Sequence, residues 1–142
     1  MVNDLAQLGT DRLIPLITQR SVVVPRDTKL DRFAKAAAQA AKQSGNAHFM
    51  QIDEATAFAD VLACDAELKL LADPDAQPLA GLAQRLDSVS TARVLIGPEG
   101  GLTDAECAAA RQAGFTPWRF SPNTLRIETA AAAAVAILRS QT

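Results

Sequence analysis

A run of three apolar residues, Val94–Ile96, leads directly into a glycine-rich segment and then into the start of a helix. Continuous apolarity over so few residues is typical of a strand that is covered on both faces, as in a parallel sheet. Thr103, with Glu106 three positions later, has the pattern of a capping box, and Gly114 is placed to end the helix. This order of strand, turn and helix restricts the fold to those in which parallel strands alternate with helices.

The same alternation continues along the rest of the chain. Short apolar runs predict three further strands, at residues 13–17, 68–72 and 118–120. A helix is predicted from Thr28, as its N-cap, to Gly45, and the alanine-rich stretch 127–139 predicts another. The first of these helices is expected to have an apolar face made of Leu30, Phe33, Ala34, Ala37 and Ala41. Residues 73–91 are interpreted as a loop with a short helix, so we expect an α/β domain with a mainly parallel sheet flanked by helices.

The composition is that of a single domain. The 142 residues are 49% apolar, which is enough for one sizeable core, and residues 1–142 are expected to form one unit. No apolar run reaches the roughly 18 residues that a membrane-spanning helix needs, and the N-terminus lacks the basic and apolar regions of a signal peptide. We therefore expect a soluble, cytoplasmic protein without a membrane partner.

Residues that bind metals or take part in redox chemistry are few and dispersed. Cys64 and Cys107 have no C-x-x-C spacing, and His48 is the single histidine. This pattern predicts no metal site. The two cysteines are expected to be buried, small apolar side chains in a reducing compartment.

The charge is unevenly distributed along the chain. A net charge of −2 argues against a protein that binds nucleic acid through its overall field. Up to His48, however, the chain has seven basic against four acidic residues, an excess of +3, and the remainder carries −5. The charge therefore does not exclude a contact with nucleic acid through the first third of the chain.

The glycine-rich segment 97–101 follows a predicted buried strand, and ligands of parallel α/β sheets bind at the carboxyl ends of strands. Its three glycines and one proline make a fixed turn whose backbone can approach a bound molecule closely. The spacing matches neither the dinucleotide G-x-G-x-x-G pattern nor the P-loop. For this segment taken alone, an ordinary strand-to-helix turn remains the alternative.

A second segment, 120–130, also leads from a strand end into a helix. Glu128 in the first helical turn is favourable next to the positive end of the helix dipole, whereas Arg126 is not. An arginine in this unfavourable place indicates a role towards an anion or a carbonyl oxygen. A surface arginine paired with a nearby acid is an equally good interpretation.

Four segments, in order along the chain, together resemble one known family. Gly97–Thr103 and Leu125–Ala130 are similar to the paired GPEGG(L/F) and LR-x-ETA signatures of the bacterial 16S rRNA uridine-N3 methyltransferases, the RsmE-type family of the SPOUT superfamily. Leu13–Ser21 resembles the IxPL and ERS segment of that family, and Gln43–Gly45 resembles its EQSGR. Because the four matches cover nearly the whole chain, they are far more specific than either loop alone.

The resemblance implies a SPOUT-type domain with a deep trefoil knot at its C-terminal end and a homodimer that partly buries the last helix. It also implies S-adenosylmethionine as the cofactor, held between the two loops and a strand end. The implied cofactor-binding residues are Leu71, Ala72, Ile96, Gly97, Pro98, Glu99, Gly100, Gly101, Phe120, Ser121, Pro122 and Leu125. The N-terminal RNA-binding domain of PUA type that the family carries is expected to be absent, and Asn46 and the segment 121–124 depart from the family pattern.

The implied reaction is methylation of N3 of a uridine in 16S ribosomal RNA. This nitrogen carries a proton that must be removed, and negative charge then spreads onto the ring oxygens. Arg126 suits the stabilisation of that charge, because its forked guanidinium is permanently charged. Glu99 and Glu128 are carboxylates that could accept the proton or orient Arg126, and either could instead be a helix cap.

The RNA partner must present the target base unpaired or flipped out, because the pairing edge is the reacting edge. The candidate contacts with its phosphates are Arg20, Arg26, Lys29, Arg32 and Lys35. The alternative for these charges is a solvated helix face with the i,i+4 pair Asp31 and Lys35.

Two other functions stay open. A noncatalytic knotted dimer that acts as an RNA-binding or ribosome-assembly module is favoured by the acidic balance and opposed by the intact signatures. A small-molecule enzyme that binds a phosphate with the glycine loop is opposed by the absence of lysine from both loops.

Overall fold

The computed structural model describes residues 1–21, 27–44 and 49–140, with the backbone alone at 27–29 and 44. Helices and strands alternate along these ranges, which confirms the predicted α/β class. In chain order the elements are α1 (Val2–Gln7), β1 (Arg12–Leu13), β2 (Leu16–Ile17), α2 (Asp27–Ser44), β3 (Gln51–Ile52), β4 (Thr56–Ala57), α3 (Phe58–Ala63), β5 (Leu68–Ala72), α4 (Leu82–Leu86), β6 (Ala92–Leu95), α5 (Asp104–Gln112), β7 (Thr116–Trp118) and α6 (Ile127–Ser140). Among the described residues, no helix is both long and apolar enough to cross a membrane.

The strand pairs of the described chain are parallel, as predicted. β5 is the central strand of a three-stranded sheet, with β6 on one side and β7 on the other. Leu71 of β5 lies opposite Leu95 of β6, and Ala72 lies opposite Trp118 of β7. Two short pairs, β1 with β3 and β2 with β4, complete the parallel pairing. Since β5, β6 and β7 run in the same direction, their carboxyl ends lie side by side at one edge of the sheet.

Side chains of β5 alternate between two apolar clusters, so this strand is covered on both faces. Leu71, 1% exposed, packs in a cluster with Leu95 of β6 and Ala110 of α5. Leu70, fully buried, packs on the other side with Trp118 of β7 and Ala134 of α6. Helices α5 and α6 therefore cover opposite faces of the sheet whose edge carries the two loops.

A third cluster joins the N-terminal helix to the rest of the domain. Val2 and Leu5 of α1 are buried against Ala37 and Ala40 of α2 and against Ala131 of α6. No side chain caps the start of α1, so this short helix depends on tertiary packing rather than on local signals. That dependence explains why α1 is not visible in the sequence pattern.

The predicted strand at 13–17 is wrong in its extent. The segment forms two separate two-residue strands, β1 and β2, which pair with different partners. Pro15 lies between them and has no N–H to donate to a ladder, although its carbonyl accepts a hydrogen bond from the Thr56 N–H at 2.9 Å. The strand predicted at 118–120 is displaced as well, because β7 ends at Trp118.

Three further expectations need correction. Helix α2 begins at Asp27, so Thr28 lies inside its first turn and is not the N-cap. Ala34 is exposed, whereas Ala40 is buried on the inner face of the helix. The predicted helix end at Gly45, together with Asn46 and His48, lies outside the described residues.

The cysteines are also less buried than expected. Cys64 and Cys107 are free thiols that are only partly buried. Burial raises the pKa of the Cys107 thiol, with further upward contributions from the carboxylates of Asp73, Asp104 and Glu106, while Arg111 lowers it. The net increase keeps Cys107 protonated near neutral pH.

Candidate active site

Two loops leave the sheet at the same edge, one on each side of the end of β5. Residues 96–103 follow β6 and residues 119–126 follow β7. With neighbouring strands about 4.8 Å apart, the two loops start roughly 10 Å from one another. The Asp73 N–H donates to the Trp118 carbonyl at 3.2 Å, and the Arg119 N–H donates to the Gln77 carbonyl at 3.3 Å. These bonds tie the segment after β5 to the segment after β7.

The glycine-rich loop is a closed turn that apolar residues hold at both ends. The Gly101 N–H donates to the Pro98 carbonyl at 2.8 Å, and Gly101 has φ +71°, in the left-handed region that favours glycine. A Cβ at Gly97 would lie 3.1 Å from Cγ of Leu102. Ile96 and Leu102 pack against separate apolar clusters before and after the turn. The loop is therefore a fixed backbone surface.

A third segment of the chain, around Arg20, contacts this loop from outside the sheet. Nη1 of Arg20 donates to the Gly100 carbonyl at 2.9 Å. A Cβ at Gly100 would lie 3.4 Å from Cβ of Arg20, so the two backbones approach closely here. Arg20, a predicted phosphate contact, is thus placed on the predicted cofactor loop.

The helix that follows the loop begins with the predicted capping box. The Thr103 hydroxyl accepts from the Glu106 N–H at 3.2 Å, and Oε2 of Glu106 accepts from the Thr103 N–H at 2.8 Å. Oε1 of the same carboxylate accepts from the Gln19 N–H at 2.8 Å. The C-terminal stop is confirmed as well, since Gly114 has φ +89°.

The Glu106 carboxyl is ionised more readily than an ordinary glutamate. Burial raises its pKa, but hydrogen bonds from the Thr103 N–H, the Gln19 N–H and the Thr103 hydroxyl outweigh burial and lower it. The positive charge of Arg20 lowers the pKa further. The net shift is downward, so the carboxylate that holds the start of α5 is negatively charged at neutral pH.

The second loop is built on an aromatic pair. The rings of Trp118 and Phe120 lie 4.6 Å apart between centroids, tilted by 44°. Trp118 is buried, and Phe120 is half-buried against the cluster that contains Ala134 of α6. Oγ of Ser121 then accepts from the Asn123 N–H at 3.1 Å, which makes a local turn.

The predicted catalytic side chains are all exposed. The Arg126 carbonyl accepts the Ala130 N–H at 2.8 Å, so Arg126 stands immediately before α6 and its side chain points away from the core. Glu128 is exposed in the first turn of that helix, and Glu99 is exposed in the turn of the glycine-rich loop. Each carboxylate thus lies on one of the two loop regions.

The other predicted cofactor-binding and RNA-binding residues differ in how deeply they are buried. The side chain of Leu71 is buried in the core, so only its backbone could face a ligand. Ala72 and Leu125 are half-buried. Arg32 and Lys35 are exposed on α2, whereas Arg26 and the side chain of Lys29 lie outside the described residues.

The residues at this edge suit an adenosyl group better than a phosphate. Half-buried apolar side chains, Ile96, Phe120 and Leu125, offer surface for a flat heterocycle. The closed turn at 97–101 offers backbone groups at its three glycines, where no Cβ stands in the way. The absence of lysine from both loops makes a phosphate site less favourable.

Several of these contacts cannot be inferred from sequence patterns. The capping box identifies Thr103 and Glu106, but nothing in the spacing links Glu106 to Gln19, which is 87 positions away. The bond between the Gln77 carbonyl and the Arg119 N–H likewise joins loops without a motif. Both depend on how the sheet brings distant segments together.

A parallel sheet with two loops at its carboxyl edge is the arrangement in which ligands of α/β domains commonly bind. A family model described as RNA methyltransferase domain matches residues 1–139. The chain belongs to this family.

The names of individual relatives match the RsmE-type family that the sequence motifs resemble. The chain is 28% identical over 140 residues to ribosomal RNA small subunit methyltransferase E of Aquifex aeolicus, covering 97% of this chain and 60% of the relative. It is 30% identical over 146 residues to the protein of the same name from Synechocystis, covering 96% of this chain and 46% of the relative. The chain thus spans about half the length of these relatives.

A solved structure is similar over almost the whole chain. It is a ribosomal RNA small subunit methyltransferase E from Neisseria gonorrhoeae, bound to S-adenosyl methionine, with a TM-score of 0.85 and 28% sequence identity. The similarity covers 98% of this chain and 58% of that one.

Proposed function

We propose that this chain is an S-adenosylmethionine-dependent RNA methyltransferase domain that methylates N3 of a uridine in 16S ribosomal RNA. The observation that carries the proposal is the origin of both signature loops at one sheet edge, beside the end of β5. Membership of the RNA methyltransferase domain family supports it, as do the relatives named ribosomal RNA small subunit methyltransferase E.

S-adenosylmethionine is proposed to bind between the two loops. When bound, it supplies an electrophilic methyl group on a positively charged sulfur. The residues that would hold it are Leu71, through its backbone, with Ala72, Ile96, Gly97, Pro98, Glu99, Gly100, Gly101, Phe120, Ser121, Pro122 and Leu125. The bound S-adenosyl methionine of the Neisseria relative supports this choice of cofactor.

Residues of both loop regions are proposed to act on the uridine. Its N3 must lose a proton before it can accept a methyl group, and the ring oxygens then carry the negative charge. Arg126 is exposed at the start of α6, and we assign its guanidinium to those oxygens. Glu128 and Glu99, one on each loop region, are the carboxylates assigned to accept the proton or to orient Arg126.

The RNA strand is proposed to run over the basic first third of the chain. Arg32 and Lys35 are exposed on α2, and Arg20 uses one of its five donors on Gly100, which leaves others for phosphate. Arg26 and Lys29 are assigned to the same surface from the sequence alone. The names of the curated relatives support ribosomal RNA as the partner, and hence the cytoplasm as the location.

The assembly is proposed to be a homodimer whose contact includes α6. Ala130, Ala131 and Ala134 of this helix are buried within the chain, whereas Ala133 and Ala136 are only half-buried, and small residues let a second helix approach closely. Ala133→Glu is expected to convert a dimer to a monomer in light scattering after gel filtration. A single mass for both proteins would contradict this assignment.

The C-terminal part of the chain is proposed to form a deep trefoil knot, a rare exception to unknotted topology. The similarity of the whole domain to the Neisseria structure supports this topology. A crystallographic trace in which residues 119–140 do not pass through an earlier loop would contradict it.

Methyl transfer is the direct test of the proposed activity. The chain is incubated with methyl-labelled S-adenosylmethionine and unmodified small ribosomal subunits, and the RNA is digested to nucleosides for mass spectrometry. Label in 3-methyluridine is expected, and Arg126→Ala should abolish most of it. Binding of ribosomal RNA by folded protein without any transfer of label would favour the noncatalytic RNA-binding module instead.

A further inference from the structure

Glu106 makes one more contact than a helix cap requires. Its Oε2 accepts from the Thr103 N–H at 2.8 Å and from the Thr103 hydroxyl at 3.1 Å, which completes the capping box. Its Oε1 accepts from the Gln19 N–H at 2.8 Å. The carboxylate therefore joins the start of α5 to a segment near the N-terminus.

That segment is itself a rigid turn. The Thr18 N–H donates to Oγ of Ser21 at 2.9 Å, and the Ser21 N–H donates to the Thr18 carbonyl at 3.2 Å. Thr18 is 9% exposed, so the base of the turn is fixed in the protein. Gln19 and Arg20 form its exposed tip, and Glu106 holds the backbone of that tip.

The side chain of Arg20 connects this turn to the glycine-rich loop. Its Nη1 donates to the Gly100 carbonyl at 2.9 Å, and its Cβ lies 3.4 Å from the position that a Cβ of Gly100 would occupy. Two hydrogen bonds therefore hold the glycine-rich loop: one within the loop, from the Gly101 N–H to the Pro98 carbonyl, and one from Arg20 to the Gly100 carbonyl.

We propose that Glu106 and Arg20 are positioning residues for the cofactor loop: Glu106 fixes the backbone before Arg20, and Arg20 fixes the Gly100 carbonyl. The inference rests on the proposed function, since it gives this loop the task of holding S-adenosylmethionine. It gives Arg20 a second role besides the phosphate contact. It also explains why position 106 carries a carboxylate: one oxygen accepts a hydrogen bond from the Gln19 N–H, and the other accepts one from the Thr103 N–H.

Glu106→Gln is the sharpest variant, because it keeps the size of the side chain. One oxygen is replaced by an NH₂ donor, which must then face the N–H of either Gln19 or Thr103. Thr103→Ala is the matched control, since it weakens the cap but leaves the bond from Oε1 to the Gln19 N–H in place. Asp104→Asn controls for loss of charge in the same helical turn.

The first measurement needs no ligand. Hydrogen exchange of the Gly101 amide, read by NMR relative to amides of β5, reports how firmly the loop is closed. Glu106→Gln and Arg20→Ala are each expected to speed this exchange about tenfold, and the two controls less than about threefold. Equal acceleration by Thr103→Ala would overturn the proposal, because the effect would then be a general loss of the helix cap.

The second measurement asks whether Glu106 acts through Arg20. In methyl transfer, each single variant is expected to raise KM for S-adenosylmethionine about tenfold and to change kcat less than about twofold. The double variant should match the stronger single variant. Additive effects would overturn the proposal. If the unaltered chain does not bind S-adenosylmethionine, the proposed function fails, and the exchange of Gly101 still decides the positioning role.

Discussion

Nη1 of Arg20 lies 2.9 Å from the carbonyl oxygen of Gly100, although the two residues are 80 positions apart in the chain. This hydrogen bond brings a segment near the N-terminus onto the loop that follows β6. The candidate site is therefore built from three parts of the sequence: the two signature loops and the turn that carries Arg20. Each can be tested separately.

Gly100→Val is expected to weaken binding of S-adenosylmethionine by about tenfold or more, because branched methyl groups would collide with Arg20 and displace the loop. Gly100→Ala is the matched control. Its single Cβ would lie 3.4 Å from Cβ of Arg20, a tight contact that a small shift relieves, so affinity should fall less than about threefold. Titration calorimetry measures both. If Gly100→Val binds S-adenosylmethionine as tightly as the unaltered chain, the loop does not form the cofactor surface.

Arg126→Ala is expected to lower kcat by about 100-fold to 1000-fold while leaving the affinity for S-adenosylmethionine nearly unchanged. The physical reason is the loss of a fixed positive charge where negative charge develops on the uridine oxygens. Arg85→Ala, at the exposed end of α4, removes the same charge elsewhere and should leave kcat unaltered. If kcat is preserved in the Arg126 variant, the charge of this residue has no part in the reaction.

The lowered pKa of Glu106 predicts a pH-dependent difference between two proteins. A carboxylate with a depressed pKa in the folded state stabilises the fold above its unfolded-state pKa, and this contribution disappears as the pH falls through the folded-state pKa. The midpoint temperature of the natural chain should therefore exceed that of Glu106→Gln at about pH 7 and approach it at about pH 3. A difference that stays constant over this range would show that ionisation of Glu106 does not contribute.

Thr103→Ala is expected to lower the free energy of unfolding by about 1 kcal/mol, because the Glu106 N–H at the start of α5 loses its acceptor. Urea denaturation measures the change, and Thr103→Ser, which keeps the hydroxyl, should recover most of it. Equal stabilities of the alanine and serine variants would exclude a capping contribution from the hydroxyl.

Sequence patterns predict the elements whose signals are local. Helix α5 is predicted at both ends, because Thr103, Glu106 and Gly114 determine hydrogen bonds within a few residues. Strand β5 is predicted in full because its apolar residues reflect burial on both faces. Helix α1 is missed because its stability comes from Leu5 and its neighbours packing on distant helices.

In the candidate site, too, sequence patterns predict the features with local signals and miss the contacts between distant segments. Glycine is favoured at position 97, where a Cβ would lie 3.1 Å from Cγ of Leu102, and at position 101, where φ is +71°, and the strand pattern places this segment at a sheet edge. The partners of Glu106 and Arg20 cannot be predicted, because the spacing carries no trace of a contact over 80 or more positions. One apolar run is misassigned because Pro15 interrupts the ladder in a way that periodicity alone does not register.

The most direct test is a titration of the chain with S-adenosylmethionine, followed by amide chemical shifts in NMR. If the two loops hold the cofactor together, the largest shifts should fall in residues 96–101 and 120–125 at once, with smaller ones near Ala72. Shifts confined to one loop or found elsewhere, or no shifts from folded protein at millimolar ligand, would contradict a shared site at this edge of the sheet.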